Sequence, residues 1–513
     1  MIDVSDLLRR GYLPKELPPP FGTSSFADAV DIHYFVEPFP ATFLDPSPAE
    51  YAPYNLARAG SLRRRLGVLN PILYFNLCRA IESNWPTISA ILKNAPLSGI
   101  IETGPGKTGR AIISSTIDAF TSLRAKSRAT ARFLLKTDIS RFYHSIYTHS
   151  IPWAAHGKAV AKADHSRKLY GNVLDMRARK CQDNQTLGLP IGPDTSFILS
   201  ELVLAAVDQK FLDKMKKLNG FRHVDDYELC FDTRSDAEHA LAALQESLTE
   251  FELALNPLKT QIIELPIPLE KPWASELRYF QFTKFEYDLV AFFDRAFVLS
   301  KQNPDESVLN YAIARTNGIT VDQDNWPLFQ NLLCQCVRVE PNTILPAIEQ
   351  LLRYETAEDD YDMDLELLAE LMNKQIQHHA PLGHNSEVAW ALWALINFKA
   401  KIFDSTAKVL GNFDDPIAAL LSLDAFSRGM MPSLSVAKWS TFMTRDDLYG
   451  RQWILSYEAS VKGWLKPASV PDHVNADPNF SLLKKWGVSF YDPAKTHHFT
   501  PLRRDDPYSD FSV

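Results

Sequence analysis

Asp225 and Asp226 stand side by side between two short apolar runs, residues 221–224 and 227–231. Two adjacent carboxylates at a tight turn repel one another, and that repulsion raises a pKa unless cations neutralise them. A third candidate, Asp138, closes the apolar run that begins at Phe133. If the two segments are neighbouring strands, Asp138 and Asp225 converge. Converging carboxylates supply hard oxygen ligands of the kind Mg²⁺ takes. A pair of such ions about 4 Å apart activates a hydroxyl nucleophile and stabilises a leaving phosphate oxygen. An isolated Asp-Asp pair is more often only a polar turn, so the surroundings decide.

Those surroundings have mixed α/β character from about 130 to 265. Residues 195–211 read as a helix with apolar residues at 198, 202 and 206. In 227–231, Tyr227, Leu229 and Phe231 are expected to face inward and Glu228 and Cys230 outward. A further helix is expected to start with a Ser235/Glu238 capping box and to stop near Asn256 and Pro257. Residues 1–57 look irregular and extended; 11–21 (GYLPKELPPPF) holds four prolines, which no regular helix accepts. Residues 58–92 turn helical. Beyond 300 the strand signals stop, and 305–315, 328–337, 344–352, 365–377, 388–398, 417–426 and 452–465 read as successive helices. The expected division is an extended segment at 1–57, an α+β core at 58–300 and an all-α domain at 301–513.

Residues 99–110 (GIIETGPGKTGR) form a Gly-rich loop with basic ends, but Ile101 stands where a phosphate-binding P-loop needs its first glycine. The 513 residues allow two or three domains, and 23% charged with 46% hydrophobic residues is an ordinary globular composition. The net charge of −8 argues against a protein that coats long duplexes, though a local basic groove stays compatible with it. Five scattered cysteines, Cys78, Cys181, Cys230, Cys334 and Cys336, do not form a disulfide framework and suit reduced core thiols in a cytoplasm. No signal peptide or membrane span is legible, so no membrane partner is expected. The acidic run at 355–370, eight carboxylates without a base, reads as a solvated loop and helix start.

Four segments in order carry a resemblance to reverse transcriptases. Residues 137–153 (TDISRFYHSIYTHSIPW) resemble the first catalytic motif, and 221–231 (FRHVDDYELCF) resemble the second, an Asp-Asp hairpin. Between them 185–202 (QTLGLPIGPDTSFILSEL) resemble the motif that cradles the nascent base pair, and 253–260 (LALNPLKT) resemble the segment downstream. The resemblance implies that Asp138 and Asp225, with the Ile139 carbonyl, ligate two Mg²⁺ ions, and that Asp226 supports the second carboxylate. It implies that Tyr143 gates against a ribose 2′-hydroxyl, that Gly192 and Pro193 approach the nascent pair, and that Lys259 is a general acid or cation beside the pyrophosphate. Fingers cations for the triphosphate would come from Arg63–Arg65, Lys107 and Arg110; a solvated basic loop is the alternative for the last two. Two departures stand out: Ile191 where most relatives have Gln, and His223 where most have an aromatic residue.

Residues 11–21, 145–158, 189–196, 384–395 and 453–465 resemble, across nearly the whole chain, the abortive-infection (Abi) reverse transcriptases of bacteria and prophages. The segments typical of retron and group II intron enzymes are not found. The Abi resemblance implies a fingers–palm core followed by a HEAT-like helical domain, and homo-oligomers. It implies template-free DNA synthesis from dNTPs, primed by the protein itself, in antiphage defence. The product would be single-stranded DNA attached to a tyrosine, with Tyr12, Tyr34, Tyr51 and Tyr54 as N-terminal candidates. A conventional RNA-templated reverse transcriptase and a non-catalytic sensor of nucleic acid or a phage protein are the alternatives.

Overall fold

The computed structural model describes residues 2–34, 39–60, 62–98, 102–103, 109–113, 117–282, 285–356, 361–466 and 472–496. Eight strands lie among them: β1 (Ala52–Ala57), β2 (Arg63–Val68), β3 (Glu102–Thr103), β4 (Ile112–Ile113), β5 (Phe133–Asp138), β6 (Gly220–His223), β7 (Asp226–Phe231) and β8 (Gln261–Glu264). The last four make one antiparallel sheet in the order β6-β7-β5-β8. The first four form two separate hairpins.

Both faces of the four-stranded sheet are covered, which changes the expected alternation of β7. Tyr227 and Leu229 face helix Asp194–Met215 and its neighbours, as Tyr227 Oη donates to Asp208 at 2.9 Å. Glu228 and Cys230 are buried too, beneath helix Ile117–Arg128. Burying Glu228 is tolerable because Arg124 and Arg128 pair with it at 2.9 and 3.0 Å. Phe231, expected inside, is only partly buried.

The helix after β7 runs Arg234–Thr249, and its cap is Thr233, whose side chain accepts from Asp236 N–H; the Ser235/Glu238 box is not used. It ends well before Asn256, at a turn that carries the chain back beside β5.

Residues 1–57 are more regular than their prolines suggest. Helices Val4–Arg10, Ser24–His33 and Ala41–Leu44 precede β1, and the proline-rich stretch between the first two follows turns. Residues 58–92 include β2 before any helix; helix Pro71–Ser83 then begins with Asn70 as cap and Pro71 in its first turn.

Thirteen α-helices follow β8 among the described residues, beginning at Pro272. Apart from the ends, the expected helices are present: Trp326–Val339, Ile344–Glu355, Leu365–His379, Asn385–Asn397, Pro416–Ser427 and Trp453–Val461 among them. Many pack on the next helix but one: Val308–Arg315 on Ile344–Glu355, Trp326–Val339 on Leu365–His379, Asn385–Asn397 on Pro416–Ser427. A cut at 300 runs through helix Phe285–Gln302, whose Phe293 packs on Phe329.

This helical part folds back onto the beginning of the chain. Trp453 Nε1 donates to the Val68 carbonyl at 2.9 Å, and Trp390 Nε1 to the Glu16 carbonyl at 2.9 Å. Tyr12 stacks on Tyr74 and meets Phe490 edge-on. One apolar core therefore runs from Ile2 to Tyr491. All five cysteines are buried thiols within the molecule. No helix of the described residues is long and apolar enough to cross a membrane.

Candidate active site

The sheet brings the three aspartates together. Asp138, last residue of β5, is the cross-strand partner of Asp226, first residue of β7. Asp225 lies in the two-residue turn between β6 and β7, and its carbonyl accepts from Ile139 N–H at 3.2 Å. Val224 supplies the turn with φ of 51°, which is strained for a β-branched side chain. The LALNPLKT segment closes the third side: Asn256 N–H donates to the Asp138 carbonyl at 2.8 Å, and Lys259 Nζ donates to Asp138 Oδ2 at 2.5 Å.

Burial, reinforced by Asp226 and Asp138, pushes the Asp225 carboxyl up to about 6. Burial and then Asp138 raise Asp226. Burial works against the Lys259 ammonium, but its hydrogen bond to Asp138 and the neighbouring carboxylates win, so its pKa is raised. The cluster carries more negative charge than its one close ammonium offsets.

Asp138 Oδ1 is buried with no hydrogen-bond partner. Its other oxygen is taken by the lysine, which stands where a cation belongs. Carboxylate oxygens with an orphaned lone pair suit a hard divalent ion. The three carboxylates do not bring ligand atoms all within 4.8 Å of one another.

Beneath this site lies a second charged cluster that the sequence reading missed. Arg222, in β6, is fully buried; it forks onto Glu201 at 2.8 and 3.0 Å and reaches Asp208 at 2.9 Å. It also donates to the Val224 carbonyl at 2.8 Å, pinning the strained turn. An Arg inside an apolar strand, with Glu201 and Asp208 two helical turns apart, was the available signal. His223, where an aromatic residue was expected, serves as one: its ring meets Phe120 edge-on at 4.5 Å, and burial pushes its pKa down to about 4.

Tyr143 follows Asp138 on the short turn of helix Phe142–Ser145. Burial raises its pKa, opposed by the nearby Ser200 side chain, with Asp225 and Arg64 close enough to act on it. Gly192 has φ of 120°, and a Cβ there would come within 2.7 Å of Pro14 Cγ. The loop's approach is thus to the chain's own N-terminal segment. Ile191 bridges to Leu66 of β2, and Pro193 caps helix Asp194–Met215.

The expected triphosphate cations divide. Arg63 forks onto Glu387 of the helical part and is committed there. Arg110 is committed to Asp194 and to the carbonyls of Leu13 and Gly192. Arg65 lies over the Tyr51 ring. Lys107 is outside the described residues. Strand alternation sets Arg64 on the other face from Arg63 and Arg65, close enough to Tyr143 to act on it. Arg58 lies close enough to Asp225 to feel its charge. Arg58 was not among the expected site residues. Of the tyrosines considered for priming, Tyr12 and Tyr54 are fully buried, with hydroxyls donating to the Leu69 and Glu16 carbonyls. Tyr34 and Tyr51 are partly buried.

Residues 93–285 match the family model of reverse transcriptase (RNA-dependent DNA polymerase). That segment contains all three aspartates, Lys259 and the whole four-stranded sheet. Residues 93–285 are therefore similar to a reverse-transcriptase domain. Solved structures similar to it include telomerase from Candida albicans in complex with a TWJ fragment of telomeric RNA, at 12% identity and a TM-score of 0.29, over 67% of this chain and 65% of that one. Apo telomerase from Candida tropicalis is similar at 11% identity and a TM-score of 0.33, over 76% of each chain. The match thus spans a little under two thirds of the Candida albicans chain. No curated protein matches this chain.

Proposed function

We propose that this chain is a template-independent DNA polymerase that primes from its own side chain and acts in antiphage abortive infection. The observation that carries the first part is the nascent-pair loop. Ile191 replaces a polar residue and is bridged to β2, while Gly192 is packed against Pro14. In this reading the loop is packed against the chain's own segments and is not kept for a template strand. The defence role and homo-oligomeric state rest on the Abi resemblance of the sequence, as does a cytoplasmic location.

In this reading Asp138 and Asp225, with the Ile139 carbonyl, hold two Mg²⁺ ions, and Asp226 supports the hairpin carboxylate. When bound, the ions lower the pKa of the attacking hydroxyl and neutralise the departing pyrophosphate. Lys259 places an ammonium beside Asp138 from which a proton can pass to the leaving oxygen. Arg64 and Arg58 supply positive charge near Asp225 for the triphosphate. Tyr143, beside Ser200, excludes a 2′-hydroxyl and favours dNTPs. Residues 58–264 act as fingers and palm, and the helices from Pro272 form a HEAT-like array that braces the β1–β2 hairpin.

The test is incubation of purified protein with Mg²⁺ and labelled dNTPs, without nucleic acid, beside an Asp225→Ala/Asp226→Ala control. Protease-sensitive, protein-linked single-stranded DNA made only by the intact protein is expected. Synthesis only on an added primer–RNA template would replace this reading with a conventional reverse transcriptase. Silence under both conditions would favour a non-catalytic sensor.

A further inference from the structure

The turn between helices Leu365–His379 and Asn385–Asn397 gathers three ligand-type side chains far from the aspartates in sequence. Among the described residues they are the one group of three or more His, Cys, Asp or Glu whose donor atoms all lie within 4.8 Å of one another. His379 Nδ1 and His384 Nδ1 are 3.0 Å apart, and each is 3.7 Å from Glu387 Oε1. A tetrahedral zinc with bonds of about 2.0–2.2 Å sets its ligand atoms about 3.3–3.6 Å apart. The observed triangle has nearly that size. Two imidazoles and one carboxylate are a donor set that zinc accepts, with a fourth position left over.

We infer that His379, His384 and Glu387 form a zinc site that ties helix Leu365–His379 to helix Asn385–Asn397, beside the β1–β2 hairpin. Two Nδ1 atoms 3.0 Å apart cannot both carry protons, so at least one lone pair faces its neighbour. The side chains of His379 and Glu387 are 6% and 1% exposed, and that of His384 is 26% exposed, which leaves one side open for entry and for a water as fourth ligand. Gly383, with φ of 73°, makes the sharp return between the two histidines.

The carboxylate is also fixed from outside the triangle. Arg63 of β2 forks onto both of its oxygens, and Ser386 Oγ donates to Oε2 at 2.5 Å. Each carboxylate oxygen has two acceptor sites, so the fork leaves capacity on Oε1 for a metal. Groups that hydrogen-bond a metal ligand orient it and tune its affinity. Here the orienting group is Arg63. A zinc bound there would hold in place the carboxylate onto which Arg63 of the hairpin forks. It stands independently of the template-free reading.

The test uses the full-length protein, purified without chelators, loaded with Zn²⁺ and dialysed, with metal content measured by mass spectrometry. About one zinc per chain is expected, and a Co²⁺-loaded sample should show the visible absorption of a tetrahedral site. Asp225→Ala/Asp226→Ala should keep the zinc, which separates this site from the polymerase centre. His379→Gln and the more exposed His384→Gln should each cut zinc content at least roughly tenfold, with folding checked by circular dichroism. A folded wild-type protein that retains no zinc after loading would overturn the proposal and leave a hydrogen-bonded histidine pair. So would zinc retained unchanged in a folded His384→Gln protein.

Discussion

Two charged clusters lie on either side of the same hairpin and are built on opposite principles. Below the turn, Arg222 is ringed by Glu201 and Asp208 with every charged oxygen or nitrogen in contact. Above it, Asp138, Asp225 and Asp226 share only Lys259 at hydrogen-bond distance. The lower cluster has exchanged water for partners. The upper one keeps uncompensated negative charge, seen in the raised Asp225 and Asp226 carboxyls and in the orphaned Asp138 Oδ1. Charge left unpaired next to a well-paired support is charge that a bound cation would offset, and perturbed carboxyls cluster where chemistry is done.

Breaking the upper cluster should have the largest effect. Asp225→Ala/Asp226→Ala should lower nucleotide incorporation by roughly 10³-fold or more, because several kcal/mol of metal-assisted stabilisation are lost. Its melting temperature should not fall, as repulsion is removed along with the ligands. Steady-state incorporation and thermal unfolding check both halves.

Breaking the lower cluster should do the reverse. Arg222→Ala strands Glu201 and Asp208 as buried charges and should cost about 3–5 kcal/mol of stability. Replacing all three, Arg222→Met with Glu201→Leu and Asp208→Leu, should restore most of it. Urea unfolding measures the difference. If Arg222→Ala were as stable as wild type, the network would not be the support described.

Lys259→Ala should lower turnover by about 10²-fold, the usual scale for a general acid, while Lys259→Arg keeps the charge and recovers part. An unchanged rate in Lys259→Ala would remove the lysine from the mechanism.

The smallest effect sharpens the contrast. In metal-free protein the Asp225 carboxyl is raised to about 6 from an ordinary 3.8. A raised folded pKa contributes stability that is present below the unfolded pKa and lost as pH rises through the folded one. Metal-free Asp225→Asn should therefore match wild type near pH 4 and gain on it, by on the order of 1 kcal/mol, as pH passes 6. Mg²⁺ should erase the gain. Melting curves at several pH values decide it.

Much of this site was legible from short-range pattern. Apolar runs ending in Asp138 and flanking Asp225 specify strands, and a two-residue gap specifies a hairpin. The helices past Pro272 announced themselves by period, to within a few residues at their ends. The expected outward facing of Glu228 failed because periodicity describes one strand, and the helix that buries its second face lies about a hundred residues earlier. Arginine roles failed for the same reason. Arg63, Arg64 and Arg65 are equivalent as letters, and only the strand's alternation and its partners Glu387 and Tyr51 separate them.

The sequence by itself determined the chemistry available: three carboxylates and a lysine on segments that resemble those of reverse transcriptases. Only the tertiary structure decided which charges are spent on one another. It committed Arg63 and Arg110 to ion pairs, sealed Tyr12 and Tyr54 in the core, and set His379 and His384 beside Glu387. The reason is physical. Local pattern follows from backbone geometry within a few residues, whereas the state of a charge depends on which groups replace its water, and those groups come from anywhere in the chain.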